Sequence, residues 1–307
     1  MTSCAVQNSA TQKLPPWTHS CSIFWKFAQL DRTNPIKDFD KFAQRYGSIY
    51  GLFIGSQPAV VLAGQKSIRE ALITQAAEFA GRSDNMMFSH VTNSKGVLMA
   101  NYGESWREHQ RFALTTLRNF GLGKRSMEQR ILEEVKYIYS HLEESAVVDE
   151  HKKLHVTGEP RDLIDCYLEE MEKRVDQGTT FDDSQMVTLL FDLFVAGTET
   201  TSNTLRTLNL YLMTHTHMQE QCQRQIDEVL GDCEHVTFED RNAMPYVQAV
   251  IHEGQRVADI APLGMFHTAT TNTQLQGYNI PKGTIIIPYL SSALREESQW
   301  KFPHETS

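Results

Sequence analysis

Apolar residues recur along most of this chain at helical spacing and, towards its end, at strand spacing. Ile36, Phe39 and Phe42 mark a short helix over 36–46, ended by Gly47. Two strand-like runs follow at 49–54 and 59–62, with Gly55-Ser56-Gln57-Pro58 between them as a hairpin turn. The pattern is helical again over 67–77, then breaks over 79–101, where Gly81, Gly96 and several Ser and Asn punctuate it. An amphipathic helix is predicted over 106–117. Another starts at Ser126, with Gln129 completing a capping box and Met127, Ile131, Val135 and Leu142 as its stripe. A Pro-Gly break at 158–160 precedes a helix over 163–171.

The segment 183–213 is apolar nearly all round (Val187, Leu189, Leu190, Leu193, Phe194, Val195), which predicts a long buried central helix. Its middle, Ala196-Gly197-Thr198-Glu199-Thr200-Thr201, is poorly suited to an uninterrupted helix. Surface helices are predicted over 219–230, closed by Gly231, and over 245–256. From Leu263 onward the pattern is β, with strands over 273–280 and 284–290 around a turn at Pro281-Lys282-Gly283. Residues 1–22 are irregular, stiffened by Pro15-Pro16, and there is no internal repeat. The fold class is mainly α with a minor β-sheet (α+β).

Composition narrows the function. The 307 residues carry 29 Lys+Arg against 38 Asp+Glu, a formal net charge of -9, with no basic block. Nucleic acid is not an expected partner, because non-specific affinity comes from neutralising phosphates. Fifteen Phe and ten Tyr exclude a disordered chain. No run approaches the ~18 apolar residues of a membrane span, and the first twenty lack the apolar centre of a signal peptide. Five cysteines, an odd count without CxxC spacing, fit a non-secreted chain with reduced thiols.

Two constellations could carry chemistry. Gly197 inside a helix costs about 1 kcal/mol relative to Ala. It either lets another helix pack closely or, with Thr200, opens the backbone ladder into a groove for ligand or water. Glu199 beside that hydroxyl suits a proton relay. Glu253 and Arg256, at i and i+3, share a helix face and can form an ion pair, for which a solvated face is the default.

Taken in order, Trp106 in a basic amphipathic helix, Ala-Gly-Thr-Glu-Thr-Thr at 196–201, Glu253-Gly254-Gln255-Arg256 and Pro-Lys-Gly-Thr at 281–284 resemble the cytochrome P-450 family. FDKFAQRYGSIYGLFIG at 39–55, LRNFGLGKR at 117–125, GEPRDLIDCYL at 158–168 and SSALREESQWKFPHE at 291–305 look like its microsomal drug- and lipid-oxidising branch. The resemblance covers 23–305, and 23–307 is expected to be one partial domain. It implies a haem-thiolate monooxygenase on the cytosolic face of the endoplasmic reticulum membrane. Such an enzyme takes electrons from NADPH-cytochrome reductase and hydroxylates or epoxidises small lipophilic substrates. It further implies that Glu199 and Thr200 guide protons and that Ala196, Ile260, Ala261, Leu263 and Met265 contact substrate. Lys95, Trp106 and His267 would pair haem propionates, and Glu253 and Arg256 would belong to a supporting network.

The departures from the family are as informative. Its haem ligand lies in a loop Phe-x-x-Gly-x-x-x-Cys-x-Gly, and none of Cys4, Cys21, Cys166, Cys222 and Cys233 has that context, so no metal ligand is assigned. The Arg completing the Glu253–Arg256 network lies beyond the same point. Near 145–147 the text jumps to what belongs further along a full-length member. The family's Trp-x-x-x-Arg becomes Trp106-Arg107-Glu108-His109-Gln110. That leaves Arg111, about 100° away on a helix, as the neighbouring propionate candidate. Gly254 adds a destabilising residue to its helix, and the branch's membrane anchor is absent, which weakens membrane association. A truncated, internally deleted form is expected, unable to bind haem through Cys or turn over substrate. The alternatives are a non-catalytic interaction protein with a reductase-binding surface and an unstable fragment.

Overall fold

A computed structural model of the chain describes residues 15, 34–82, 92–121, 158, 160–174, 180–231 and 237–303. The predicted helix starting at Ser126, the 145–147 junction and three of the cysteines, Cys4, Cys21 and Cys233, lie outside them. The chain divides into two compact units, 1–86 with 259–307, and 87–258.

The first unit is built on a four-stranded sheet. Helix α1 (Pro35–Tyr46) starts at Asn34, whose side chain accepts from the Lys37 amide, and has Pro35 in its first turn. Gly47 ends it at φ 91°. Strands β1 (Ile49–Ile54) and β2 (Gln57–Ala63) pair antiparallel from Ile49↔Leu62 to Ile54↔Gln57, so the turn is only Gly55-Ser56. Helix α2 (Gln65–Arg69) runs into a π-helical turn over Glu70–Thr74. After β3 (His267–Thr268), the predicted strand over 273–280 is in fact a hairpin, β4 (Thr273–Leu275) and β5 (Tyr278–Ile280). Gln276 and Gly277 turn there with φ of 47° and 80°, which no continuous strand allows. Strand β6 (Ile285–Tyr289) leads into a short helix, α8 (Leu290–Leu294). The sheet order is β1-β2-β6-β3, with β2 and β6 parallel.

Both faces of this sheet are covered, which is why its strands read as unbroken apolar runs. Tyr50, Leu52, Val61, Ile285, Ile287 and Tyr289 pack with Phe39 of α1 on one face. Ile49, Val60, Leu62 and Ile286 pack with Ala71, Phe79 and Leu275 on the other. Alternate residues of one strand therefore enter different cores.

The second unit is helical. It contains α3 (Glu104–Asn119), α4 (Leu163–Lys173), α5 (Asp183–Thr214), α6 (Thr216–Leu230) and α7 (Pro245–Ala258). Asp162 caps α4 through the amides of Ile164 and Asp165, and Asp182 caps α5 through that of Gln185. The core joins Ala113 of α3, Ile164, Tyr167 and Leu168 of α4, and Phe181, Met186 and Leu189. Gln225 of α6 accepts from the first amides of α7, Tyr246 and Val247, at 3.0 and 3.1 Å.

One expectation fails here. The 32-residue helix α5 is present, but it is buried only over its first turns, at Gln185, Met186, Leu189 and Asp192. Phe194 is 69% exposed, and every residue from 194 to 203 is exposed. All-round hydrophobicity shows that a segment can be covered. It does not supply the covering elements: among the described residues α7 and α6 pack on α5, yet 194–203 stay exposed.

Gly254 is also not the liability predicted from helix propensity. A Cβ there would lie 2.1 Å from Leu208 Cδ2, so α5 fills the space that a side chain on α7 would need. Gly254→Ala is expected to destabilise the chain by about 1–3 kcal/mol through overpacking. Denaturant unfolding should show that loss, and most of it should vanish when Leu208→Ala is added.

Candidate functional site

The Ala196 to Thr201 stretch does not open the ladder of α5. Thr200 Oγ1 donates to the Ala196 carbonyl at 2.6 Å, and Thr204 and Thr207 make the same i-4 bond to Thr200 and Asn203. Each hydroxyl proton is held by its own helix. Among the described residues no second helix packs on Gly197, where a Cβ would meet nothing within 4 Å. Glu199 accepts from the Asn203 amide at 3.3 Å and does not bond Thr200. Ala196, Glu199 and Thr200 are all exposed, so in this structure they do not form a closed proton path.

Glu253 and Arg256 depart from the solvated default in the opposite direction. Arg256 Nε and Nη2 donate to the two Glu253 oxygens at 2.8 and 2.7 Å. The side chains are 5% and 12% exposed. Hydrogen bonding to Glu253 raises the Arg256 pKa against the opposing effect of burial. A forked, charge-assisted pair of this kind holds α7 in one geometry.

The segment before α3 is organised by α5. Gln185 Oε1 accepts from the Gly96 amide, and the Asp192 carboxylate accepts from Val97 and Leu98 at 2.7 and 3.0 Å. Gly96 adopts φ +82°, and a Cβ there would stand 2.1 Å from Asp192 Oδ2. Burial raises the Asp192 pKa, while these two amides oppose the rise. Lys95 pairs with Asp182 at 2.8 Å, Trp106 Nε1 donates to the Val97 carbonyl at 2.9 Å, and Arg111 is exposed. The donors expected to meet a propionate at Lys95 and Trp106 are thus committed within the protein.

His267 and the apolar stretch before it belong to the other unit. His267 Nδ1 donates to the Phe79 carbonyl at 2.8 Å. Arg82, whose own pKa is lowered by burial, donates to the Phe266 carbonyl at 3.1 Å. Burial, then the Arg82 charge, lowers the His267 pKa to about 4. Ile260 and Met265 are about two-fifths exposed, at 41% and 42%, while Leu263 packs against the core beneath α1. Ala261 is exposed.

A depressed histidine makes stability depend on pH. The unfolded ring takes up its proton near pH 6.5, whereas the folded ring stays neutral down to about 4. The contribution is complete above 6.5 and is lost as pH falls towards 4, with a slope of at most about one proton. Unfolding curves between pH 7 and 4 are expected to show this slope, and His267→Gln should flatten it.

Among the described thiols, Cys166 and Cys222 are free, and burial raises both pKa values. No group of three or more His, Cys, Asp or Glu among the described residues could hold a metal ion. Neither Cys166 nor Cys222 lies in a Phe-x-x-Gly-x-x-x-Cys-x-Gly run, so neither is assigned as an axial haem ligand.

Several organising groups escaped the sequence reading. Asp192 and Gln185 were signalled only as polar residues within an apolar run. His109, fully buried, bonds Tyr167 Oη at 2.9 Å and stacks on Phe181, 4.3 Å between centroids. Burial lowers its pKa. No spacing links positions 109 and 167, so that pair was not legible.

Comparison with known proteins gives a consistent kinship. The family model described as Cytochrome P450 matches residues 15–149 and 145–305. Cytochrome P450 2C20 of Macaca fascicularis is 32% identical over 384 residues, covering 97% of this chain and 78% of the relative. Cytochrome P450 2B4 of Oryctolagus cuniculus is 32% identical, covering 95% and 77%. Cytochrome P450 2C8 of Homo sapiens is 31% identical, covering 97% and 78%. Each alignment is longer than the 307 residues of this chain, so each relative carries residues within it that have no counterpart here.

Proposed function

The chain belongs to the cytochrome P450 family, and from that membership we propose that it carries the framework of a haem-thiolate monooxygenase without a complete reaction centre. Haem is the family's cofactor, and its activity is monooxygenation. We assign the finer activity by kinship: NADPH-dependent hydroxylation or epoxidation of small lipophilic molecules, with electrons from a reductase, on the cytosolic face of the endoplasmic reticulum membrane. No helix among the described residues is long and apolar enough to cross a membrane.

The observation that carries the incompetence is the donor set. These 307 residues contain no Phe-x-x-Gly-x-x-x-Cys-x-Gly run. An internal deletion near 145–147 is supported by the family match falling in two stretches that meet at 145–149. On this reading Glu253–Arg256 holds the framework. Glu199 and Thr200 keep the family's proton-handling positions, Thr200 with its proton on the Ala196 carbonyl. By kinship, Lys95, Trp106, Arg111 and His267 correspond to the family's propionate partners, and Ala196, Ile260, Ala261, Leu263 and Met265 to its substrate contacts.

The test has two arms. The 307-residue chain, given haem, reductase and NADPH, is expected to yield no oxygenated product. A chimera with a relative's internal segment at the junction and a relative's cysteine loop is expected to yield it. Thr200→Ala in that chimera should lower product per NADPH consumed. Product from the unmodified chain, or none from a folded, haem-loaded chimera, would overturn the proposal.

One observation favours a second, non-catalytic reading. Arg107, Arg111 and Arg118 are exposed on one face of α3, a surface suited to an acidic reductase patch. Retention of the 307-residue chain by immobilised reductase, lost on Arg107→Glu with Arg111→Glu, supports that reading.

A further inference from the structure

His109 of α3 and Tyr167 of α4 meet inside the helical unit, at 0% and 1% exposure. The imidazole stacks on Phe181 with 4.3 Å between centroids. Phe112 meets Tyr167 and Phe181 edge-on, at 5.4 and 5.5 Å. The pair therefore sits in an aromatic shell, which offers only weak acceptors to a displaced proton.

Bond directions decide which form of the ring fits. The Ser105 carbonyl, 2.8 Å from Nδ1, can only accept, so Nδ1 carries the hydrogen. Nε2 is then an acceptor, and Tyr167 Oη donates to it at 2.9 Å. A proton added at Nε2 sets two donors against each other. The bond survives only if the phenol turns its own hydrogen away, into the aromatic shell. Parting α4 from α3 removes that conflict, because the imidazolium then reaches water.

Neighbouring charges do not supply another way out. Among the described residues the ring faces Glu108 from its own helix, Arg174 from α4 and Asp182 from the cap of α5. Arg174 opposes protonation. Glu108 is engaged by Thr180 and Arg174 at 2.8 and 3.3 Å, and Asp182 by Lys95 at 2.8 Å. Neither carboxylate bonds the ring. Burial outweighs both, and the docked ring stays neutral below the ordinary histidine range.

We propose that the His109–Tyr167 bond is an acid-released clamp, which docks α4 on α3 at neutral pH and lets them part as the medium acidifies. The inference rests on the buried pair and its bond directions, not on the monooxygenase reading. An exposed ring takes up its proton near pH 6.5, and the docked ring does so only below that. The clamp is therefore complete above 6.5 and weakens as pH falls, with up to about a tenfold rise in opening per pH unit.

Hydrogen exchange of the full 307-residue chain reads α3 and α4 separately from the sheet. His267 titrates over an overlapping range in the other unit, so the series is run on a His267→Gln chain. Corrected for intrinsic exchange, protection of the α3 and α4 amides should fall about tenfold between pH 7.5 and 5.5. Adding His109→Gln should abolish that fall. Tyr167→Phe keeps the aromatic ring and removes the donor, so the His109 ring should titrate at higher pH by NMR. A His109 ring that titrates at or above 6.5 in the docked parent overturns the proposal. So does protection that holds constant, or that falls equally with and without His109. A His109 titration unmoved by Tyr167→Phe also overturns it, since burial alone would then set the ring's behaviour.

Discussion

Replacing Glu253 with alanine is expected to lower the unfolding free energy by about 3–5 kcal/mol. Arg256 is buried to 5% exposure and donates from two nitrogens to the two carboxylate oxygens. Removing the carboxylate leaves a buried cation without its countercharge, at a cost greater than the net worth of the intact pair. The same principle sets the control. A double variant, Glu253→Leu with Arg256→Met, removes both charges and fills similar volume, so it should lose far less than the single variant. Denaturant unfolding of the three proteins distinguishes the cases. A double variant as unstable as Glu253→Ala would place the effect in packing.

Asp192→Ala is expected to cost about 2–4 kcal/mol, because the amides of Val97 and Leu98 lose their acceptor inside the protein. Asp192→Asn retains an oxygen acceptor and should cost clearly less. Gly96→Ala should cause a loss of the same class, since it combines strain at φ +82° with a contact on Asp192. Hydrogen exchange gives the local readout. The amides of Val97 and Leu98 should lose protection in Asp192→Ala while those of the sheet keep theirs.

These effects fall where the sequence was least legible. Helix and strand positions followed from periodicity and punctuation. Gly47 ends α1 as predicted, while its start at Asn34 and Pro35 lies just before the predicted Ile36, and the unbroken apolar runs became strands covered on both faces. Local signals fail where a distant element decides the outcome. Gly254 looked like a poor helix residue, yet Leu208 fills its Cβ space. Helix α5 looked buried, yet every residue from 194 to 203 is exposed. Glu253 and Arg256 were placed correctly on one helix face, but only packing shows them to be buried. Asp192, reaching back to Val97 and Leu98, and His109, bonded to Tyr167, depend on contacts across 95 and 58 residues that no window of sequence contains.

The chain belongs to the cytochrome P450 family, and the central proposal is that these 307 residues, taken by themselves, hold its framework without the cysteine context of its haem ligand. The most direct measurement is the absorption of the chain expressed with a haem supply, reduced and exposed to carbon monoxide. No thiolate-type Soret band is expected, because no cysteine of these 307 residues has the family's ligand context. A full thiolate-type band from this chain would contradict the account.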